Sequence, residues 1–305
     1  MSEQAMGAGV TGAGVIGVGA MGGGIAARLV ERGLRAWGRD IDPQREASAR
    51  EQGVRIAGSA REIGASCGVV IVVVVDAAQI ETVLEGEDGL LGALAPASTV
   101  LLCSTIGPDD MAGFCRRVAA TGAAVLDAPI SGGPARAREG SMSMMLAGSP
   151  DALARADPVL RAISGKRFVI GERHGDASRA KLVNNLMAGI HLFAGAEAMA
   201  LAERVGLDPR AMLDLVSASS GQSWIFDDRM PRALAGDYAP RAQTRVLTKD
   251  LLLANALASG AGVDLPLGAI TARLFASACE QGWADHDDAA VLEFYRARFA
   301  AHMPE

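Results

Sequence analysis

Short apolar runs recur along the first half of the chain and are separated by stretches with helical periodicity. Residues 69–75 read VVIVVVV, which suits a strand buried on both faces and falls well short of the roughly 18 apolar residues of a membrane helix. The predicted strands cover residues 13–18, 35–38, 69–75, 100–103, 123–127, 143–147 and 167–170. This alternation predicts an α/β fold of the doubly wound type, with a mostly parallel sheet covered by helices on both faces.

The pattern changes after residue 178, and no convincing strand follows. One long helix is predicted from Asp176 or Ser178, its candidate N-caps, to Gly206, a residue type that commonly ends helices. About 27 residues would span roughly 40 Å. The helix is apolar on nearly all sides, so we expect it to be buried and to join a strand-rich half to an all-helical half. Asp208 and Pro209 are typical of the start of the next helix.

Composition argues against several classes of protein. The 305 residues carry a net charge of −6 and contain no run of five or six basic residues, so nucleic acid and anionic membranes are poor candidate partners. The start of the chain lacks the basic and apolar segments of a secretory signal. The four cysteines are scattered without a C-x-x-C, as in reduced proteins, and the four histidines lack H-x-x-x-H spacing. We therefore expect a cytoplasmic protein without a metal site.

Lysine is rare in this chain. Of 29 basic residues, only Lys166, Lys181 and Lys249 are lysines. Arginine cannot lose its proton in a protein, whereas a buried lysine shifts its pKa readily. Each lysine is therefore a candidate for proton transfer, and the alternative is a lysine retained on the surface by chance.

The pattern G-x-G-x-x-G occurs three times within residues 7–24. A dinucleotide fingerprint needs a strand before it, a helix after it and an acidic residue about 20 positions further on. Only the third copy, formed by Gly17, Gly19 and Gly22, meets all three conditions, since Asp40 follows Gly17 by 23 residues. The alternative is that these glycines only let a helix pack closely on a strand. We predict one dinucleotide site at the third copy.

The acidic residue indicates which dinucleotide is bound. Asp40 is expected to accept a hydrogen bond from the ribose 2′-hydroxyl of NAD and to repel the 2′-phosphate of NADP. Arg39 beside it keeps NADP open as the less favoured cofactor, because an arginine here can bind that phosphate.

Two further features carry candidate chemistry. Ser131, Gly132 and Gly133 would form a turn with exposed N–H groups, suited to a carboxylate or phosphate, unless it is an ordinary glycine-rich turn. Lys181 and Asn185 lie four residues apart and share a helix face. Burial among apolar neighbours would lower the pKa of Lys181 towards neutrality, as a general acid or base requires. The alternative for Lys181 is a structural pair with a carboxylate.

The chain resembles the β-hydroxyacid dehydrogenase family over nearly its whole length. The resemblance rests on four segments in the family's order and spacing: VIGVGAMG (15–22), DAPISGGPARAREG (127–140), GERHGDASRAKLVNN (171–185) and KDLLLA (249–254). One departure is Ala177, which stands where the family has a glycine before the lysine. This change is expected to tighten the turn without altering the chemistry.

The resemblance implies roles for individual residues. Lys181 would be the catalytic residue and would accept the hydroxyl proton of a small hydroxy acid while hydride passes to NAD. The implied substrate contacts are Ser131, Gly132, Gly133, Asn185 and Trp224. The implied cofactor contacts are Gly17, Gly19, Ala20, Met21, Gly22, Asp40, Val75, Thr105 and Lys249.

These observations predict the domain organisation. Residues 1–11 form a flexible N-terminal extension, and residues 12–173 form a Rossmann-type dinucleotide-binding domain. Residues 174–305 form an all-helical domain for substrate binding and oligomerisation. We expect a homodimer or homotetramer assembled through the helical half.

A finer likeness lies in the helical half. Residues 220–229, 236–241, 249–254 and 287–295 are most similar to the subgroup that oxidises L-threonate at C2. Substrate length would be selected by Trp224, Phe226, Arg241 and Arg245, although Trp224 could serve in packing and Arg245 could be a solvated surface residue. Alternatives within the fold are dehydrogenases of 3-hydroxyisobutyrate or 6-phosphogluconate, a tartronate semialdehyde reductase and an imine reductase. From another class, the alternative is a non-catalytic dinucleotide-binding protein.

Overall fold

The computed structural model describes residues 12–301, so the predicted N-terminal extension lies outside the described residues. The chain forms two compact units that divide between Lys181 and Leu182. Among the described residues, all the strands belong to the first unit, and the second unit is helical.

The first unit is built on a nine-stranded sheet. Its strands are β1 (Ala13–Ile16), β2 (Ala36–Arg39), β3 (Arg55–Ile56), β4 (Val69–Val72), β5 (Thr99–Leu102), β6 (Ala124–Asp127), β7 (Ile130–Ser131), β8 (Met142–Ala147) and β9 (Ser164–Gly171). The order is β3-β2-β1-β4-β5-β6-β8-β7, with β9 paired to β8. Strands β3 to β6 along this order are parallel, β8 is antiparallel to β6 and β7, and β9 is parallel to β8. The predicted mostly parallel sheet is confirmed.

The strand bounds differ from the prediction where local geometry overrides the apolar pattern. β1 ends at Ile16 because Gly17 has a φ of 91°, a left-handed conformation that stops an extended strand. β4 ends at Val72, and Val75 at the end of the apolar run is exposed. The two-residue strands β3 and β7 escape prediction because two residues carry no periodicity.

Helices cover both faces of this sheet. They are α1 (Ala20–Glu31), α2 (Pro43–Glu51), α3 (Ala60–Ser66), α4 (Ala77–Glu85), α5 (Pro108–Ala120), α6 (Gly133–Glu139) and α7 (Pro150–Ile163). Asp42, Ser59, Asp76 and Ser149 cap four of them by accepting a hydrogen bond from a first-turn N–H.

Strand β4 shows how the sheet separates two apolar cores. Val69 and Ile71 pack in the core that contains α1 and α7, whereas Val70 and Val72 pack in the core that contains α3, α4 and α5. Alternate side chains of a strand point to opposite faces, so an unbroken apolar run is buried on both. The interpretation of this run as a doubly buried strand therefore holds for its first four residues.

Helix α8 (Asp176–Arg204) starts in the first unit and continues into the second. The second unit adds α9 (Pro209–Ser217), α10 (Trp224–Leu234), α11 (Thr244–Gly260), α12 (Pro266–Ala278) and α13 (Val291–Ala301). Its core contains four phenylalanines, Phe193, Phe226, Phe275 and Phe294. At Gly195, a Cβ would lie 2.6 Å from the ring of Phe226, so glycine is needed for this close packing.

The expectation that α8 is buried on nearly all sides is wrong. Leu192, Ala196 and Met199 face the core of the second unit, whereas Val183, Met187 and Leu201 are about half exposed or more. By length and composition alone α8 could cross a membrane, but half of its most apolar window is buried inside the protein.

Candidate active site

The third glycine motif forms the turn between β1 and α1. The N–H of Gly17 donates to the carbonyl of Arg39 at 2.8 Å, and a Cβ on Gly17 would lie 2.3 Å from the carbonyl oxygen of Val73. A Cβ on Gly22 would lie 1.9 Å from the carbonyl oxygen of Gly17. Only glycine fits at these two positions, so the turn brings helix and strand as close together as backbones allow.

Helix α1 begins directly after this turn with an open N-terminus. Gly19 is its N-cap residue and supplies no side-chain hydrogen bond. The first N–H groups of a helix are attracted to anions such as a pyrophosphate. Ala20 and Met21 lie in this first turn. The arrangement fits the diphosphate of a dinucleotide.

The second copy of the motif has a different role. Its middle residue, Gly14, lies inside β1, and a Cβ there would lie 2.2 Å from Cγ2 of Ile63. This glycine lets α3 pack against the sheet. The first copy begins at Gly7 and lies largely outside the described residues.

Asp40 follows β2, which is paired with β1. It is buried, and its Oδ1 accepts a hydrogen bond from the N–H of Asp42 at 3.0 Å. The carboxylate is therefore held in place beside the end of the glycine turn, where a dinucleotide fingerprint requires its ribose ligand.

The remaining candidates of the first unit also follow the ends of strands. Val75 comes after β4 and Thr105 comes after β5, and Ser104 joins the two loops by accepting a hydrogen bond from the N–H of Val74 at 3.2 Å. Carboxyl ends of parallel strands meet at one edge of a sheet, which is the usual ligand edge of open α/β sheets. Ser104 was missed by the sequence reasoning because a buried serine has no distinguishing pattern.

The turn at Ser131 joins β7 to α6. Gly132 has a φ of 131° and Gly133 a φ of 76°, conformations that other residues rarely adopt. A Cβ on Gly132 would lie 2.8 Å from Cδ of Arg136. The turn therefore needs both glycines for its shape, whatever it binds.

Asp127 fixes the start of α8. It is fully buried at the end of β6, and its carboxylate accepts hydrogen bonds from the N–H of Gly175 at 2.9 Å, the N–H of Ser178 at 3.0 Å and the hydroxyl of Ser178 at 2.8 Å. Burial raises the pKa of the Asp127 carboxyl, although these three donors favour its charged form. The sequence reasoning treated Asp127 only as the start of a segment, and its link to residues about 50 positions away left no local signal.

Lys181 lies on α8, three residues after Ser178, and is 7% exposed. The hydrogen bonds from the first turn of the helix to Asp127 anchor the segment that carries it. Ala177, the departure from the family pattern, is buried within this turn.

A second polar cluster lies within the second unit. The amide nitrogen of Asn185 donates to Oδ2 of Asp250 at 2.6 Å, and the amino group of Lys249 contacts Oδ1 of the same carboxylate at 2.8 Å. The amide of Asn184 donates to Oδ1 of Asn185 at 3.0 Å. Asp250 is buried and holds both predicted residues in fixed orientations. Sequence reasoning missed it.

The residues proposed to select substrate length lie in different environments. Trp224 begins α10 and is 47% exposed, whereas Phe226 is buried in the core. Arg241 pairs with Asp237 at 2.7 Å, and Arg245 contacts Asp285. Phe226 therefore serves in packing. Arg245 matches the alternative of a solvated surface residue.

Cysteine and metal chemistry find little support in the described residues. Cys67, Cys103 and Cys115 are buried free thiols, and burial raises the pKa of Cys67 to about 12. Such thiols stay protonated and are poor nucleophiles. Within residues 12–301, no group of three or more His, Cys, Asp or Glu side chains could hold a metal ion.

Two family models match the chain. The NAD binding domain of 6-phosphogluconate dehydrogenase matches residues 12–171, and a model described as the NAD-binding of NADP-dependent 3-hydroxyisobutyrate dehydrogenase matches residues 175–295. The first match ends at residue 171 and the second begins at residue 175, just before α8.

Individual relatives resemble the chain over most of its length. An L-threonate dehydrogenase from Cupriavidus necator is 40% identical over 272 residues, which cover 89% of this chain and 92% of the relative. A 3-hydroxyisobutyrate dehydrogenase from Pseudomonas aeruginosa is 36% identical over 286 residues, which cover 90% of this chain and 95% of the relative. A crystal structure of 3-hydroxyisobutyrate dehydrogenase from Salmonella typhimurium is 37% identical with a TM-score of 0.87, covering 92% of this chain and 99% of that one.

Proposed function

The chain belongs to the 6-phosphogluconate and 3-hydroxyisobutyrate dehydrogenase family, and we propose that this NAD-dependent hydroxyacid dehydrogenase oxidises L-threonate at C2. The observation that carries the choice of substrate is the 40% identity to an L-threonate dehydrogenase over 89% of the chain. Oxidation of 3-hydroxyisobutyrate is the second candidate, because a dehydrogenase of that substrate is 36% identical over 90% of the chain.

The glycine turn and Asp40 would hold the cofactor. The diphosphate fits the open N-terminus of α1, and the ribose hydroxyl fits the buried carboxylate of Asp40. Bound NAD supplies an acceptor for the hydride that leaves C2. Val75, Thr105 and Lys249 complete the proposed cofactor contacts.

Lys181 would act as general base for oxidation. Its neutral amino group accepts the proton of the C2 hydroxyl as the C2–H bond breaks and the carbonyl forms. In the reverse direction, its ammonium returns that proton to the developing alkoxide. The anchoring of α8 by Asp127 supports this role, because an acid or base works only when it is held within hydrogen-bond reach of its proton.

The substrate would be held by its polar ends. The N–H groups and hydroxyl of the turn from Ser131 to Gly133 suit the carboxylate of the hydroxy acid. Asn185 lies one turn beyond Lys181 on α8, and its amide is oriented by Asp250 at 2.6 Å. Trp224, which is half exposed, is proposed to contact the far end of the substrate.

A panel of substrates tests this proposal. The purified chain is incubated with NAD and L-threonate, D-threonate, 3-hydroxyisobutyrate or 6-phosphogluconate, and with NADH and tartronate semialdehyde. Turnover is measured by the absorbance of the reduced cofactor, and we expect the highest kcat/KM with L-threonate. A higher value for another acid would replace the substrate, whereas NAD binding without turnover of any acid would favour a non-catalytic dinucleotide-binding protein.

The domain assignment is part of the proposal. Residues 12–173 would bind the dinucleotide, and residues 174–305 would serve substrate binding and oligomerisation. The two family models support this division, since one ends at residue 171 and the other begins at residue 175. A protein consisting of residues 12–173 should then bind NAD without oxidising L-threonate.

We also propose a cytoplasmic homodimer or homotetramer assembled through the helical half. The exposed apolar residues of α8 support this assembly, because Val183, Met187 and Leu201 are exposed by 58, 49 and 54%, and Val205, just after the helix, by 62%. Light scattering should give a mass of two or four chains, and a monomeric mass would contradict the proposal. Cell fractionation tests the location.

A further inference from the structure

Two arginines, Arg39 and Arg45, contact Asp40. Either could in principle bind the 2′-phosphate of NADP, which carries the negative charge that Asp40 repels. Arg39 precedes Asp40 in the sequence, and Arg45 lies on α2, which begins three residues after Asp40. Their contacts show which of the two arginines is available to a ligand.

Arg39 is the last residue of β2, and its side chain reaches the loop between β2 and α2. Its guanidinium donates to the carboxylate of Glu46 and to the carbonyl oxygen of Asp40. Glu46 also accepts the N–H of Asp40 at 3.1 Å. Arg39 is therefore held by two acceptors that shape this loop, and binding a phosphate would require it to leave them.

Arg45 lies between the carboxylate and the glycine turn. Its Nη1 is 3.8 Å from Oδ1 of Asp40, and its Nε is 3.3 Å from a carboxylate oxygen of Asp42. A Cβ on Gly19 would lie 3.2 Å from the same Nη1 and 3.6 Å from Cζ. The side chain is 55% exposed, so its planar group is open to a ligand.

We propose that Arg45 is the cation of the ribose subsite that can bind a 2′-phosphate, and that its ion pairs with Asp40 and Asp42 prevent this in the native protein. In the native protein, its charge is balanced by these two carboxylates, and NAD is preferred. Without the negative charge of Asp40, the guanidinium keeps only Asp42 as a partner, and its planar set of donors suits a phosphate at the 2′ position. The single loss of that charge should then shift preference towards NADP without any added cation. This inference rests on the proposed cofactor site.

The test compares two single variants at Asp40 with four double variants. Asp40→Ser and Asp40→Asn are each combined with Arg45→Ala or with Arg39→Ala. Dissociation constants are measured by calorimetry for NAD, NADP, 2′,5′-ADP and 5′-AMP, the last two isolating the contribution of the 2′-phosphate. Asp40→Asn keeps an oxygen for the N–H of Asp42, so it controls for damage to the loop.

We expect both single variants at Asp40 to bind NADP and 2′,5′-ADP about 10- to 100-fold more tightly than the native protein, the worth of one charge-assisted contact. The gain should disappear when Arg45→Ala is added and persist when Arg39→Ala is added.

Three results would overturn the inference. They are a gain that survives Arg45→Ala, a gain that is lost with Arg39→Ala, and no gain at either Asp40 variant. The proposed function fails in a different measurement, because native protein that does not bind NAD or 5′-AMP would remove the site itself. Turnover of L-threonate by the native protein is scored separately from all of these affinities.

Discussion

The ligand edge of the first unit and the polar cluster of the second unit are built in different ways. The ligand edge is made by backbone: two glycines that cannot carry a Cβ, an open helix N-terminus and turns at the ends of parallel strands. The cluster is made by side chains, with Asp250 binding Asn185 and Lys249 at once. A backbone site demands particular residues at particular positions, whereas a side-chain site needs only that polar groups from distant positions meet.

This difference explains what the sequence could predict. Gly17 and Gly22 were identified because the fold forbids other residues there, and Asp40 because it lies at a set distance from them. Asp250 was missed because its partner Asn185 is 65 positions away. Arg45 was missed because its contacts with Asp40 and Gly19 depend on how the loop before α2 folds.

The same reasoning applies to the fold. Strand β4 carries an unbroken apolar run and was predicted, whereas β3 and β7 are too short for a periodic signal. The burial of α8 was overestimated because composition shows that a helix is apolar and does not show whether another surface covers it.

The largest expected effect on cofactor binding comes from adding one methyl group at the ligand edge. Gly22→Ala places its Cβ 1.9 Å from the carbonyl oxygen of Gly17, so helix and turn must separate. We expect NAD affinity to fall at least about 100-fold, with about 1–3 kcal/mol lost from the free energy of unfolding. Calorimetry and denaturant titration measure both quantities.

Gly260→Ala is the matched control, because no heavy atom lies within 4 Å of a Cβ there and the residue is helical. It should be neutral or stabilise the protein by a few tenths to about 1 kcal/mol. Native NAD affinity in Gly22→Ala would contradict the glycine turn as the cofactor site.

A smaller effect is expected in the side-chain cluster. Asp250→Asn removes the charge that holds Lys249 but keeps an oxygen that can accept from Asn185. The orientation of Lys249 is then lost, although no large cavity forms. We expect kcat/KM for L-threonate to fall about 10- to 100-fold, because misplaced positioning groups cost that much. Steady-state kinetics give the split between kcat and KM.

Asn184→Ala is the control for that cluster, since Asn184 only donates to the oxygen of Asn185. Its effect should be less than about fivefold. Equal losses in the two variants would mean that Asp250 has no special positioning role.

A third prediction concerns Asp127, a side chain that holds backbone N–H groups in place at the start of α8. Asp127→Ala leaves the buried N–H groups of Gly175 and Ser178 without their acceptor, and we expect about 2–4 kcal/mol less free energy of unfolding. Ser178→Ala removes only the hydroxyl contact and should cost about 1 kcal/mol. Denaturant titration measures the free energy of unfolding of both variants. Equal losses would show that the backbone contacts of Asp127 do not stabilise the protein.

The smallest effect on cofactor binding is expected at the second glycine motif. Gly14→Ala brings a Cβ within 2.2 Å of Ile63, so we expect about 1–3 kcal/mol of destabilisation and NAD affinity within about twofold of native. Combining it with Ile63→Ala should cost less than the sum of the single changes, because the smaller residue makes room. A large loss of NAD affinity at native stability would assign the second copy to the cofactor.

The central claim is that Lys181 transfers the proton, and one measurement addresses it directly. The turnover of L-threonate and the affinity for NAD are compared in Lys181→Ala, Lys181→Arg and the control Lys166→Ala, whose lysine is exposed on β9. We predict that kcat falls about 10²- to 10⁴-fold in both Lys181 variants, the usual worth of a positioned acid or base, while NAD affinity and the control stay near native. Near-native turnover in Lys181→Arg would contradict the claim, because arginine cannot give up its proton.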